Sequence, residues 1–204
     1  MASHPGWPAQ ATHGPVGLRP LRPSDAGAWR DVRLANEAWL LPWEPSSAVP
    51  WCDRNGLAAF RSGLRVLRRQ ARAGQTLPFA ITYEGRLAGQ LTIGNIVRGS
   101  FQSGYAGYWV DGALAGRGIM PTALALAVDH CFGPAGLHRV EVNIRPENAA
   151  SRRVVEKLGF REEGFHQRLL FIDGAWRDHI GYALTVEDVP LGLLNRWLSA
   201  RHTG

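Results

Sequence analysis

Residues 111–126 read DGALAGRGIMPTALAL. The ten residues from Ile119 to Val128 contain one polar side chain, Thr122. A helix built from them has no face to offer to water, so the rest of the fold has to cover it on every side. Pro121 suits its first turn, where a missing N–H costs little. Just ahead stand Gly112, Gly116 and Gly118, with Arg117 between the last two. A helix N-terminus leaves backbone N–H groups without partners and carries partial positive charge. Glycines in front of it let an anion approach the backbone, so the turn is a candidate phosphate site. It is neither of two common phosphate loops. No Gly-Lys-Ser/Thr occurs in the chain, and the third glycine of a GxGxxG motif would fall on Pro121. By itself the turn is equally compatible with a plain strand–turn–helix connection.

The 204 residues suffice for one domain with a proper core. Charged residues make up 20% of the chain and apolar ones 45%, which is globular rather than disordered composition. A formal charge of +6 favours anionic partners without choosing among nucleotides, acidic proteins and a ribosomal surface. Cys52 and Cys131 fit no CxxC or Cys/His pattern, so no metal is expected and both are read as reduced thiols of a cytoplasmic protein. The first residues show no secretion signal, and no apolar run is long enough to span a membrane.

Residues 1–15, rich in Pro, Gly and His, are expected to form a loose tail before a domain of residues 16–204. A short strand follows, then a helix capped at Ser24 and running to about Trp39. The stretch LLPWEPSSAVPW (40–51) carries Pro42, Pro45 and Pro50, which exclude a helix interior and leave an aromatic loop. A second helix is predicted over 53–73. Its Arg61, Arg65, Arg68 and Arg72 repeat at helical spacing, either as a solvated flank or as a dock for an anionic surface. Three strands between 78 and 111 form an antiparallel meander with a turn at Glu84-Gly85. Strand 138–146, helix 148–158, a strand to Ile172, a turn at Asp173-Gly174, a strand to Thr185 and a short last helix complete the chain. The alternation in the second half predicts a single α/β or α+β domain with a mixed sheet.

The turn in its context, AGRGIMPTAL, followed by NAASRRVVEKLGF with EEG after it and by DGAWRDHIGYALT, resembles the GNAT family of acetyl-CoA-dependent N-acetyltransferases. The resemblance covers about residues 16–188 and is nearest to the RimJ/RimL branch, which acetylates protein N-termini, including those of ribosomal proteins. It implies a mixed, mostly antiparallel sheet in which strand 104–111 splays from strand 138–145, flanked by helices. Acetyl-CoA would occupy the gap. Tyr108, Trp109 and Val110 would line its pantetheine arm, with an N–H there stabilising the oxyanion. The pyrophosphate would lie over Arg117, Gly118, Ile119, Met120 and Thr122. The sequence departs from the family's Q/R-x-x-G-x-G/A pattern, with Ala115 at its first position and Met120 at its last. Asn148 matches the family's cofactor-contacting asparagine and would also serve as a helix N-cap.

Acetyl transfer to an amine needs a neutral nucleophile, oxyanion donors and a proton for the leaving thiolate. Ser151 falls where family members place a hydroxyl near the sulfur, as general acid or, failing that, as a capping serine. Glu141 shares a strand face with Asn143 and Arg145 and is a candidate base, unless it only pairs with Arg139. Glu163 is a second candidate, unless it is only a surface carboxylate of the REEG stretch. In the loop, either Trp43 and Trp51 wall an acceptor slot, with Glu44 and Asn143 holding the amine, or these aromatics simply close the core beneath a long loop. The expected reaction is acetylation of a protein α-amine, with any nucleic-acid contact made through the ribosome. Two alternatives stay open: a small-amine acetyltransferase, and a non-catalytic acyl-CoA-binding module docking on RNA.

Overall fold

The computed structural model describes residues 6–202. In chain order its elements are β1 (Ala11–His13), β2 (Val16–Pro20), α1 (Ala26–Ala35), α2 (Glu37–Leu40), α3 (Trp51–Arg54), α4 (Leu57–Arg72), β3 (Leu77–Tyr83), β4 (Arg86–Val97) and β5 (Ser103–Val110). After these come α5 (Ile119–Phe132), β6 (Arg139–Ile144), α6 (Ala149–Leu158), β7 (Arg161–Ile172), β8 (Ala175–Thr185) and α7 (Leu193–His202). The strands form one eight-stranded sheet in the order β1-β2-β3-β4-β5-β6-β8-β7. Only β5 and β6 run parallel. The mixed, mostly antiparallel sheet expected from the sequence is therefore present.

The apolar helix α5 sits at its centre. Residues 119–128 are all buried, and Ala123, Ala125 and Ala127 have no exposed surface. Small side chains let the sheet approach closely on one side while α6 and α7 cover the other. Near its end, Asp129 accepts hydrogen bonds from the backbone N–H groups of Leu193 (2.6 Å) and Leu194 (3.0 Å). A carboxylate on α5 thus satisfies the orphan donors at the start of α7 and fixes that helix over the core.

Several local expectations need correction. Residues 1–5 lie outside the described residues, but 11–13 are not tail: they pair with β2 as the edge of the sheet. Trp7 packs edge-on against Phe79 at 5.4 Å, so it too sits on the core. Ser24 is not the cap of the first helix. Asp25 takes that position, accepting from the Arg22 N–H at 2.7 Å and pairing with Arg19. The first helix breaks at Asn36 and the second at Asn55-Gly56. In both places a buried asparagine side chain binds another segment, and its local geometry gives way to that contact. The hairpin turns at Glu84-Gly85 and Asp173-Gly174 stand as predicted, with positive φ at all four residues.

Replacing Asp129 by Ala removes the cap on α7. It should cost about 1 kcal/mol, which for a chain of this length is a fall of about 2–4 °C in Tm. An unchanged melting curve would show that α7 is held without it.

Candidate active site

β5 and β6 pair only at Ser103–Arg139, Gly104–Val140 and Tyr105–Glu141. Beyond Tyr105 they part. β5 continues along β4 to Val110, while β6 continues along β8 to Ile144. Parallel strands that separate leave edges with unsatisfied backbone groups. The Asp111 N–H donates to the Ala88 carbonyl at 2.8 Å, on the β4 side. The period of two along a strand therefore turns the N–H groups of Tyr108 and Val110 the other way, into the gap. Trp39 Nε1 donates to the Val110 carbonyl at 3.1 Å, which holds α2 at the mouth of the gap.

The turn after β5 is shaped for an anion. Gly116 and Gly118 have φ of +80° and +77°, left-handed values that L side chains resist. Gly118 is the N-cap of α5 and supplies no side chain to the helix start. The N–H groups of Gly118, Ile119 and Met120 accordingly have no acceptor among the described residues. The Met120 side chain belongs to the core at 6% exposure, so its bulk is directed away from the turn. Asn36 braces the other end of the turn. Its Oδ1 accepts from the Gly112 N–H (2.8 Å) and its Nδ2 donates to Asp111 Oδ1 (3.0 Å).

A cavity of about 1030 Å³ runs from this turn along β5 and α6 to the aromatic loop. Tyr108, Trp109, Val110, Gly118, Ile119, Met120, Asn148, Ser151, Trp43 and Glu44 all line it. Arg153 and Lys157 on α6 add positive charge to its wall. A smaller cavity of about 160 Å³ lies across the splayed strands. It is lined by Asn143, Arg145 and His179, and it shares Trp43, Tyr108, Asn148 and Ser151 with the larger one. Where the two meet, Tyr108 Oη and Ser151 Oγ are hydrogen-bonded at 2.9 Å. Burial pushes the Tyr108 phenol well above its usual range, so it keeps its proton. Asn148 caps α6 by accepting from the Ser151 N–H at 3.0 Å, which leaves the Ser151 hydroxyl to Tyr108.

Other expected site residues lie elsewhere or are already engaged. Arg117 is exposed and does not line the cavity. The Thr122 hydroxyl donates to the Gly118 carbonyl (2.9 Å) and accepts from Trp197 Nε1 (3.0 Å), so it fixes the turn and has no donor left for a phosphate. Glu141 and Glu163 face Arg139, at 2.8 and 2.6 Å, and neither lines either of these two cavities. The Arg139 hydrogen bond holds Glu163 below the usual carboxylate range, which makes it a poor base. Trp51 is buried at 7% exposure and gives its Nε1–H to the Arg33 carbonyl, so it is not a wall of the slot.

Arg33 explains both Trp51 and Glu44. Its guanidinium is wedged against the rings of Trp29, Trp51 and Trp109, at 5.4, 4.7 and 5.2 Å. A buried cation needs a counterion. Glu44 supplies it through both carboxylate oxygens, and Asn55 Oδ1 accepts from Nε at 2.8 Å. The Glu44 charge is therefore committed within the protein. Sequence reading passed over Arg33, His179 and Lys157, because no spacing rule links them to the residues they meet. The one available signal for Arg33 was its place in a segment with Trp29 and Trp39 just ahead of the loop.

The sequence matches the acetyltransferase (GNAT) domain family over residues 16–161. It is 33% identical over 168 residues to the ribosomal protein uS5-alanine N-acetyltransferase of Escherichia coli, covering 80% of this chain and 85% of that protein. It is 42% identical over 164 residues to the probable N-acetyltransferase YjcK of Bacillus subtilis, covering 79% and 89%. Among solved structures, Mycobacterium smegmatis RimJ in complex with CoA-disulfide superposes with a TM-score of 0.95 over 97% of each chain, at 45% identity. With the splayed strands, the anion-shaped turn and the cavity that joins them, these matches mark the chain as a member of the GNAT family and an acetyl-CoA-dependent N-acetyltransferase.

Proposed function

We propose that the acceptor is the α-amine of a protein N-terminus, that of a ribosomal protein, modified in the cytoplasm. The observation that carries this reading is the meeting of the two cavities at the Tyr108–Ser151 pair. A long cavity reaches that point from the anion-shaped turn, and a Trp43-walled opening reaches it from the loop side. Relatives named for ribosomal-protein acetylation support the same acceptor class. No helix among the described residues is long and apolar enough to cross a membrane, which agrees with a cytoplasmic site of action. A polyamine acceptor fits less well. The carboxylates lining the large cavity are Glu44 and Glu147, and each is paired with an arginine. The exposed Arg61, Arg65, Arg68 and Arg72 on α4 offer a basic face for docking near the acceptor on the ribosome.

Acetyl-CoA supplies the thioester acetyl group. The N–H groups of Gly118, Ile119 and Met120 would hold its pyrophosphate, and Arg153 and Lys157 would add charge. The N–H groups of Tyr108 and Val110 would orient the pantetheine arm and meet negative charge developing on the carbonyl oxygen. Ser151, hydrogen-bonded to a phenol that is protonated at rest, would give its proton to the departing sulfur and be refilled through Tyr108, which takes up a proton lost by the attacking nitrogen.

Millimolar CoA should raise the Tm, because a ligand that binds only the folded state stabilises it by mass action. Gly118→Asp should remove that protection, since it sets a carboxylate where the phosphate would lie. A Tm indifferent to CoA in the wild-type chain would overturn the assignment of this cavity.

Ser151→Ala should lower kcat by about 10²–10⁴-fold with little change in KM for acetyl-CoA. A variant with wild-type kcat would reduce Ser151 to a residue of the helix start.

Peptides beginning with Ala or Ser should be better acceptors than those beginning with Leu or Arg, and Trp43→Ala should narrow the difference. Glu44→Gln should act through stability instead, costing about 1–3 kcal/mol by leaving Arg33 underpaired. A peptide with a blocked α-amine and a free lysine should not react. Its acetylation, monitored by release of free CoA, would refute the N-terminal assignment.

A further inference from the structure

The two carboxylates expected to act as base are tied to Arg139 away from both cavities. The two carboxylates that do line the large cavity are tied to Arg33 and Arg145. An acceptor arriving as an ammonium ion still has to lose a proton before it can attack. We propose that His179 is the general base that receives it, on Nε2, across water held in the smaller cavity. This inference rests on the acetyltransfer reading of the site.

His179 is in the right place. It is 2% exposed to bulk solvent, yet it lines the cavity that also touches Ser151, Tyr108 and Trp43. It stands on β8, and continuing the β6–β8 register beyond Ile144–Ile180 sets it opposite Arg145. Arg145 in turn stacks on Trp43 (5.4 Å) and donates to the Pro42 carbonyl (2.8 Å). The aromatic loop is thereby fastened over the His179 face of the sheet, the face an acceptor peptide would approach. A volume of about 160 Å³ holds a few waters at about 30 Å³ each.

Its proton is also in the right place. Nδ1 lies 3.0 Å from the Arg177 carbonyl, an acceptor that carries no hydrogen. Nδ1 must then be the protonated nitrogen, which leaves the Nε2 lone pair free to accept. The groups around the ring keep it neutral. Burial acts most strongly, and positive charge from Arg145 just past the end of β6 and from His166 on β7 acts in the same direction. Asp178 and the Arg177 carbonyl on β8 oppose them, and the net shift is downward. His166 fits beside His179 because residue 181 is glycine: a Cβ there would lie 2.5 Å from His166 Nε2.

The proton count closes. The ammonium gives one proton to His179, the neutral amine attacks the carbonyl carbon, the C–N bond forms and the C–S bond breaks. The sulfur leaves with the Ser151 proton. The nitrogen's second lost proton replaces it through Tyr108 and Ser151, and His179 releases its own to solvent.

The test is kcat/KM across pH 6–9.5 for the full chain with acetyl-CoA and an Ala-initiated peptide, in wild type, His179→Asn and His179→Gln. Asparagine keeps a donor to the Arg177 carbonyl while removing Nε2. At pH 7 both variants should be slower by about 5–10-fold, the shortfall of neutral α-amine at one unit below its pKa, and by about ten times more at pH 6. The deficit should shrink as pH rises through about 8, where an α-amine loses its proton unaided. Protection by CoA should match wild type. A deficit that is equal at every pH, or no deficit, would overturn the proposal. Should both variants unfold, the wild-type kcat at saturating substrates decides. An acid limb with an apparent pKa below about 6.5 supports His179, and a limb only near that of the amine overturns it. The wild-type rate bears on the acetyltransfer reading, whereas the variant-to-wild-type ratio across pH bears on His179.

Discussion

The site depends on one broken pairing. β5 and β6 share three residue pairs and then each follows its other neighbour. Had they stayed paired, the Tyr108 and Val110 backbone groups would be consumed by the sheet, and no passage would link its two faces. The separation is maintained by what lies on either side. α5 is buried all round and fixes the turn at the end of β5, while α6, capped by Asn148, carries Ser151 against Tyr108. The cost of leaving strand edges unpaired is met by a ligand-sized cavity rather than by protein.

A second constraint governs the acceptor side. Arg33 is a buried cation among three tryptophans, and it recruits Glu44 from the loop and Asn55 from the break between α3 and α4. The loop is stapled at further points. Arg145 reaches Pro42, Pro45 bridges to Ile172, and the Ser46 N–H donates to the Phe171 carbonyl. A segment that reads as irregular is thus held at both ends of the opening it walls. Rigid walls suit discrimination by size, because a flexible loop would spend binding energy on its own ordering.

The roles of individual side chains follow from what each is already bonded to. Thr122 has its hydroxyl in use in both directions, Glu141 is held by Arg139, and Glu44 is held by Arg33. Ser151 and His179 differ from these. One is joined to a protonated phenol and the other to a backbone carbonyl, and in each case an atom remains for chemistry at the cavity surface.

The sequence by itself determined the turn and most of the elements. The apolar run of α5 allowed only a buried helix, the glycines before it allowed an anion site, and the period-two strands with their Glu-Gly and Asp-Gly turns specified the meander and the last hairpin. These are local properties, set by side-chain periodicity and backbone sterics within a few residues. The resemblance carried by AGRGIMPTAL and NAASRRVVEKLGF added the splay and the position of Ser151. Tertiary structure alone decided which polar groups are free. Glu141 looks like a base in the sequence because its pairing with the nearby Arg139 is only one of two open readings there, and nothing local brings Glu163 to the same arginine. Glu44 looks available because Arg33 is eleven residues away, and His179 looks like an ordinary strand residue until the sheet sets it opposite Arg145. Whether a charge or a lone pair is spent depends on long-range neighbours and on burial, and the fold fixes both only when the chain closes on itself.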